Sequence, residues 1–429
     1  MMEGFYKTLY NVLLPAAAGA GYAASLFHEK LREAASGRKG WRRRWTEAGA
    51  GFDNRPVWFH VSSVGEFEQA RPVITSLAKT YPDIPVVVSF SSPSGYNFAL
   101  RKETPGADNT IRFIDYLPVD FRHNAETCLS AVDPQLLVFV KFDLWPNLIW
   151  EAKRRGVPVV LIDATLSPSS RRTSGAGRAF YRTIYSNIDK ILAISDEDAG
   201  RFRDTVPGHP AIGVTGDTRF DRVMERKQGG HGVGFDLAGE GRKVVICGST
   251  WPRDESRLLP ALKDVLSGQD NVFAIIAPHE PLPDRVESLL EWARSCGFTA
   301  AAASDGIGSP LPRAIVVDTV GILAETYRMG DVAYIGGSFS TGVHSVIEPA
   351  IEGLPVLFGP VHDNSFEALR LQDVGAGFEV KTADDIRRVL GGLLSDDQAR
   401  RDAGAAAVGY VESQLGATEK CVAAIAEYL

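Results

Sequence analysis

A chain of 429 residues exceeds what one ordinary hydrophobic core organises and points to two domains of common size. Hydrophobic residues at 45% and charged residues at 23% exclude a largely disordered polypeptide, and a formal charge of -7 argues against bulk nucleic-acid binding, which uses a basic face. The four cysteines, Cys128, Cys247, Cys296 and Cys421, form neither a CxxC pair nor a His/Cys cluster, which implies a reducing compartment and no structural zinc.

The amino terminus carries no charge from Thr8 to Phe27, but small residues such as Ala16, Ala17, Ala18, Gly19 and Gly21 dilute it, so it is marginal as a spanning helix. Behind it come Lys30, Arg32, Arg38, Lys39, Arg42, Arg43 and Arg44 with Trp41 and Trp45, a mixture suited to anionic headgroups and the interfacial zone. A membrane-associated helix over 1–28 with the body on the cytoplasmic side is the expectation. The positive charge follows the apolar stretch, which argues against a cleaved signal peptide. The alternative is a buried amphipathic helix followed by a solvated basic loop.

Short apolar runs then alternate with helical patterns, the mark of parallel sheets covered by helices. Val57–Val61, Val86–Phe90, Leu136–Val140, Val157–Ala164 and Lys190–Ser195 read as buried strands, with amphipathic crossovers at Glu66–Tyr81, Trp145–Arg155 and Arg178–Asn187. The polar stretch Gly216–Gly241, containing Gly229-Gly230 and no apolar period, is the candidate hinge. Val244–Cys247, Val272–Ala277, Ala314–Val317, Val332–Ile335 and Pro355–Phe358 repeat the rhythm, and Ala300–Ala303 reads as a loop or helix end. The final helices, near Asp397–Val408 and Val411–Tyr428, either cap the second unit or return to the first. The expected fold is α/β, with two Rossmann-like domains facing across a cleft, divided as 29–216 and 217–400, with 401–429 as closing helices.

In open α/β sheets ligands sit beyond the carboxyl ends of the strands, so the residues after each apolar run carry the most information. His60-Val61-Ser62-Ser63-Val64-Gly65-Glu66 places a carboxylate at a helix start. Glu66 reads equally as a base and as a charge favoured by the helix dipole. Lys141-Phe142-Asp143-Leu144-Trp145-Pro146-Asn147 follows another strand, with Asp143 also readable as an N-cap. In the second half, Cys247-Gly248-Ser249-Thr250 and Gly336-Gly337-Ser338 are small residues whose backbone N–H groups suit a phosphate, or simply a turn. Glu348 could accept from ribose hydroxyls, and His344 reads as a ligand contact or as a satisfied buried histidine.

Together and in order these motifs resemble the bacterial Kdo transferases, which add 3-deoxy-D-manno-octulosonic acid (Kdo) to the lipid A precursor. The likeness spans nearly the whole chain: the amino-terminal segment, Ser63-Val64-Gly65-Glu66, Leu144-Trp145-Pro146-Asn147, Gly248-Ser249-Thr250, His344 with Glu348-Pro349, and Phe358-Gly359-Pro360 followed by Asn364. It implies the glycosyltransferase-B architecture, an inverting and metal-independent glycosyltransferase with no cofactor, CMP-Kdo as donor, and lipopolysaccharide biosynthesis at the cytoplasmic face of the inner membrane. It also implies Glu66 as general base, with Ser63, Gly65, Lys141 and Asp143 on the acceptor side. The donor side would comprise Gly248, Ser249, Thr250, His279, Gly336, Gly337, Ser338, His344, Ser345, Glu348 and Asn364. The implied partners are the lipid A precursor, CMP-Kdo and the anionic membrane surface.

This chain departs from that pattern at three places. Lys141-Phe142-Asp143 stands where many members carry Glu-Thr-Glu, Pro278-His279-Glu280-Pro281 where many carry Pro-Arg-His-Pro, and Ser345 where Asn is usual. Two rival readings follow: another nucleotide-sugar transferase or epimerase of the same architecture, or a catalytically inactive membrane-bound nucleotide-sugar binding protein.

Overall fold

The computed structural model describes residues 2–103, 105–106, 109–229, 233, 235, 237, 241–308, 310–363 and 365–429. The chain forms two compact units, Met1–Arg222 with Leu415–Leu429, and Val223–Gln414.

The first unit is built on seven parallel strands: β1 (Val57–Val61), β2 (Val86–Phe90), β3 (Ile111–Tyr116), β4 (Leu136–Val140), β5 (Val159–Ala164), β6 (Lys190–Ala193) and β7 (Ile212–Val214). Their order is β3-β2-β1-β4-β5-β6-β7, with His60 of β1 opposite Phe139 of β4. The winding direction reverses between β1 and β4, and at such a switch point crossovers leave to opposite faces and open a crevice at the carboxyl ends. Both faces are covered, which is why the strands are apolar throughout and not alternating. Val57, Phe59 and Val61 pack with Phe67, Ile74 and Leu77 of the helix Val64–Thr80 and with Val422 and Ile425 of the helix Ala417–Ala426. Trp58 and Phe139 point the other way, into a core shared with Trp45, Cys128, Leu148 and Ile184.

The second unit repeats the plan with β8 (Lys243–Thr250), β9 (Val272–Pro278), β10 (Ala300–Ala302), β11 (Ala314–Val316), β12 (Val332–Ile335), β13 (Val356–Phe358) and β14 (Gly377–Glu379). Their order is β10-β11-β9-β8-β12-β13-β14, all parallel, with Gly248 opposite Ile335 across the β8–β12 switch point.

Several sequence expectations give way here. Ala300–Ala302 is an edge strand paired with β11, because backbone pairing needs no particular side chain, and only the following Ala303–Asp305 is a 3₁₀ turn. β3, β7 and β14 also escaped notice, since edge strands half open to solvent lack a continuous apolar run. The stretch assigned to a hinge contains the helix Thr218–Gly229, held at its start by Thr218 N and Oγ1 donating to Asp163. Gly230 lies outside the described residues.

The basic amino-terminal stretch is two helices, Glu29–Gly37 and Trp41–Gly49, rather than a loop. Trp45 is fully buried, its ring 4.7 Å from that of Trp58, so it belongs to the core and not to a lipid interface. Arg38 donates to the carbonyls of Ser91 (2.7 Å) and Leu117 (2.8 Å), and Arg44 pairs with Asp115 at 2.8 Å, so both are spent within the unit. Lys39, Arg42 and Arg43 remain at the surface. The preceding helix Met2–Ser25 docks through Tyr10 on Asp120 (2.9 Å), Asn11 on Asn147 (2.9 and 3.1 Å), and a stack of Tyr10 on Phe180. Phe5, Val12, Leu13 and Tyr22 are left exposed, followed by Leu26 and Phe27. Among the described residues no helix is long and apolar enough to cross a membrane.

Candidate functional site

In the first unit the switch point gathers the ends of β1, β2 and β4. β1 runs out at Val61, and Ser63 caps the next helix by accepting from Glu66 N at 3.3 Å. Glu66, in the first turn, folds back so that its Oε2 accepts from Ser62 N (2.5 Å) and Ser62 Oγ (2.7 Å). Both sequence readings of Glu66 are therefore physically present: a carboxylate at a helix start that also stands at the mouth of the crevice. Burial is the main influence on it and raises its pKa; the Ser62 bonds oppose that, the Asp143 charge adds to it, and His60 opposes it. A carboxyl held above its usual range is a better proton acceptor once ionised. Gly65 has room for a Cβ, so nothing in this unit's own packing demands glycine there.

Asp143 is not an N-cap. The helix Pro146–Arg154 is capped from a distance by the Asp120 carboxylate, which accepts from Asn147 N (2.8 Å) and Leu148 N (3.1 Å), with burial pushing its pKa up to about 7. Asp143 Oδ2 instead accepts from Ser91 Oγ (3.0 Å) and Trp145 Nε1 (3.2 Å) and meets His60 Nε2 at 3.3 Å. Burial pushes Asp143 up, but these bonds, His60 foremost, outweigh it and hold the carboxyl below its ordinary range. His60 is fully buried and gripped on its other side by Ser89 Oγ at 2.8 Å, which also accepts from Trp58 Nε1. The chain Trp58–Ser89–His60–Asp143 fixes one carboxylate beside Glu66. Lys141 adopts φ 66° at the end of β4, turning its side chain out of the strand's alternation.

The second unit's switch point is tighter than its sequence suggests. β8 runs through Gly248 to Thr250, with an irregularity at Ser249 (φ 53°), so these residues end a strand and are not a separate turn. Gly248 is required because a Cβ there would lie 2.0 Å from Tyr327 Oη, and Gly337 (φ 91°) because a Cβ would meet the Gly342 carbonyl at 2.3 Å. The phosphate-facing N–H groups expected at Gly336 and Gly337 are spent internally, on Gly248 O (2.9 Å) and on the buried Asp254 carboxylate (2.9 Å). Ser338 Oγ accepts from Gly359 N at 2.6 Å, and Thr250 Oγ1 donates to Glu255 at 2.8 Å. Both hydroxyls are buried and already bonded within the unit, because a backbone this close-packed consumes its own donors.

The groups that do remain available are Ser249, His279, His344, Ser345 and Glu348. Ser249, Ser345 and Glu348 line a recess of about 170 Å³ with Arg226 and Tyr327, and Ser345 Oγ donates to Glu348. His344 lies nearly coplanar with Trp251 (10°), whose Nε1 donates to His344 Nε2 at 3.0 Å; His279 stacks over both, 4.6 Å from the indole and 4.4 Å from the imidazole. An indole N–H only donates, so His344 Nε2 is the unprotonated nitrogen and the neutral ring carries its proton on Nδ1. Burial chiefly, and the neighbouring His279, lower the His344 pKa. Nδ1 has no partner among the described residues and so offers a donor to a ligand. Trp251 was missed by sequence reasoning, although its place directly after Gly248-Ser249-Thr250 was a usable signal. Asn364 lies outside the described residues. Among the described residues no three His, Cys, Asp or Glu side chains converge to hold a metal ion.

Known proteins bear on both units. The 3-deoxy-D-manno-octulosonic-acid transferase (kdotransferase) family model matches residues 38–222. The 3-deoxy-D-manno-octulosonic acid transferase of Bordetella pertussis is 29% identical over 384 residues, covering 87% of this chain and 87% of that protein. The enzyme of the same name from Chlamydophila psittaci is 30% identical over 335 residues, 75% of this chain and 73% of that one. Among solved structures, UDP-GlcNAc 2-epimerase from Neisseria meningitidis, bound to UDP-GlcNAc, aligns over 87% of this chain and all (100%) of its own with a TM-score of 0.60 at 13% identity. A glycosyltransferase from Rickettsia africae aligns over 88% of this chain and 99% of its own, at 0.56 and 10%. At such identities these two speak for the shared fold alone. The sequence relatives decide the family: the chain belongs to the 3-deoxy-D-manno-octulosonic acid transferases, a family of glycosyltransferases.

Proposed function

We propose that this protein transfers Kdo from CMP-Kdo to the lipid A precursor in lipopolysaccharide biosynthesis, with Glu66 as the general base. Family membership supports the reaction, and the placement of Glu66 supports the role: a buried carboxylate at a switch point, held by Ser62 with a raised pKa. Ionised Glu66 takes the proton of the acceptor hydroxyl, the hydroxyl oxygen bonds to the anomeric carbon, and the bond from that carbon to the CMP phosphate breaks, CMP leaving with the electron pair. In the second unit, Ser249, Ser345 and Glu348 hold the nucleotide, and the His344 Nδ1–H with His279 meets the leaving phosphate. No cofactor or metal enters this scheme.

The first unit rests on the cytoplasmic face of the inner membrane in this reading. The exposed Phe5, Val12, Leu13, Leu26 and Phe27 beside Lys30, Arg32, Lys39, Arg42 and Arg43 support it, apolar groups entering the interface and cations meeting anionic headgroups. The deciding experiment is incubation with a CMP-Kdo generating system and a tetraacylated lipid A precursor, followed by mass analysis of the lipid. A mass increase of one or more Kdo units is expected; an unchanged lipid with an intact, CMP-binding protein refutes the reading.

A further inference from the structure

At the end of β4, next in the chain to Asp143, the first unit presents two cations on one ring that have no carboxylate partner among the described residues. Phe142 is 41% exposed, unusual for a phenylalanine, and both Lys141 Nζ and Arg172 Cζ lie 5.4 Å from its ring centroid. Arg172 is held a second time by the ring of Tyr181, 4.8 Å from its Cζ. Among the described residues neither cation has a carboxylate at ion-pair distance. Several other cations of this unit have carboxylate partners: Lys153 pairs with Asp189, Arg154 and Arg155 with Glu151, Arg201 with Asp198. What sets this pair apart is that both cations share one exposed aromatic ring.

The chemistry of the arrangement is specific. Aromatic faces orient a guanidinium without using its in-plane N–H donors; Arg172 spends one on the Tyr185 hydroxyl, and the rest match two oxygens of a phosphate. Lys141 adds a point charge at the same ring, its backbone fixed by the left-handed φ of 66° and by Lys141 N donating to Ile162 O at 2.9 Å. Two residues further on, Asp143 is fixed by His60. An anion bound at Phe142 is thus held one residue along the chain from Asp143, whose charge acts on Glu66.

We propose that Lys141, Phe142 and Arg172 form a binding site for a phosphate group of the acceptor, positioning the acceptor hydroxyl relative to Glu66. This rests on the Kdo-transfer reading and adds to it the recognition of a phosphate monoester on a glycolipid. A phosphate could also come from a bilayer headgroup, so the test separates the sources.

The measurement is the ratio of kcat/KM for a bisphosphorylated acceptor to that for the same acceptor dephosphorylated, both in neutral detergent micelles. A ratio cancels general losses of folding or turnover. Each lost charge-assisted hydrogen bond should register in the ratio, so Lys141→Gln and Arg172→Gln should each lower it by about tenfold or more and the double variant by about a hundredfold or more. Phe142→Leu, which keeps both charges but removes the ring, should lower it as well. Unchanged ratios in these variants overturn the proposal. So does a loss confined to binding of phosphatidylglycerol vesicles, which would assign the site to the bilayer. If the wild type transfers to neither acceptor, the Kdo-transfer reading fails and calorimetry with the bisphosphorylated acceptor still decides this one. Binding by the wild type and not by the double variant sustains the site, and equal binding ends it.

Discussion

Glu66→Gln separates what the residue does for the fold from what it does for the reaction. The side chain keeps its length, and its amide oxygen can still accept from Ser62 N and Ser62 Oγ, which now meet the carboxylate at 2.5 and 2.7 Å. The structural cost is thus the difference between charge-assisted and neutral hydrogen bonds, about 1 kcal/mol, or a fall in Tm of about 2–4 °C for a unit of this size. The catalytic cost is of another order: losing a positioned base removes about 10²–10⁴-fold, or about 3–5 kcal/mol of barrier at 1.36 kcal/mol per decade. Single-turnover transfer from CMP-Kdo, run beside a thermal melt with and without CMP, reads both. The expected variant melts within a few degrees of the wild type, is still stabilised by CMP, and has lost most turnover. Turnover within about tenfold of wild type would refute the assignment, since that is below the contribution of any positioned base.

Asp143→Asn removes a negative charge that, after burial, helps hold Glu66 high; the Glu66 pKa should fall and the acid limb of the kcat/KM profile should move to lower pH. Trp251→Phe keeps the stacked ring but deletes the donor to His344, freeing Nε2 to be protonated; nitrogen NMR should show His344 leaving the Nδ1–H tautomer, with weaker CMP protection in a melt. Trp45→Ala empties a fully buried site and should cost about 3–5 kcal/mol in urea unfolding while leaving lipid partitioning of the folded protein unchanged. Asp120 titrates near 7 when folded, above its unfolded value of about 3.9, so the folded state binds the extra proton between those values and stability falls as pH rises through them. The stability advantage of the wild type over Asp120→Asn, measured by urea midpoints, should therefore shrink as the buffer is raised toward neutrality.

The buried strands could be read from the sequence because a sheet covered on both faces writes unbroken apolar runs, and β1, β2, β4 and β12 appear with the residues anticipated. β3, β7, β10 and β14 could not, since each is short or partly exposed and paired through a backbone that leaves no periodic trace. The placement of Glu66 at a strand end was legible, as was the cluster of small residues after β8 and β12. What those small residues do was not. Ser338, Thr250 and the N–H groups of Gly336 and Gly337 look like ligand donors in one dimension, but in three they are claimed by Gly359, Glu255, Gly248 and Asp254. Trp45 shows the converse: among arginines it suggests a lipid interface, and only the ring of Trp58 facing it reveals a core residue. Long-range partners such as His60–Asp143, 83 residues apart, leave no local signature at all.

The helix Ala417–Ala426 inserts Cys421, Val422 and Ile425 into the same apolar cluster as β1 and β4, and Gly416 N and Thr418 N both donate to Asp221. A ribosome emits Val57 some 360 residues before Thr418, so the half made first must wait, one flank unsealed, while the whole intervening half is synthesised and can settle on its own. Order of manufacture and order of completion are therefore inverted. Until that last helix emerges, the apolar cluster it completes stays open to chaperones and stray chains along a seam that the folded unit covers.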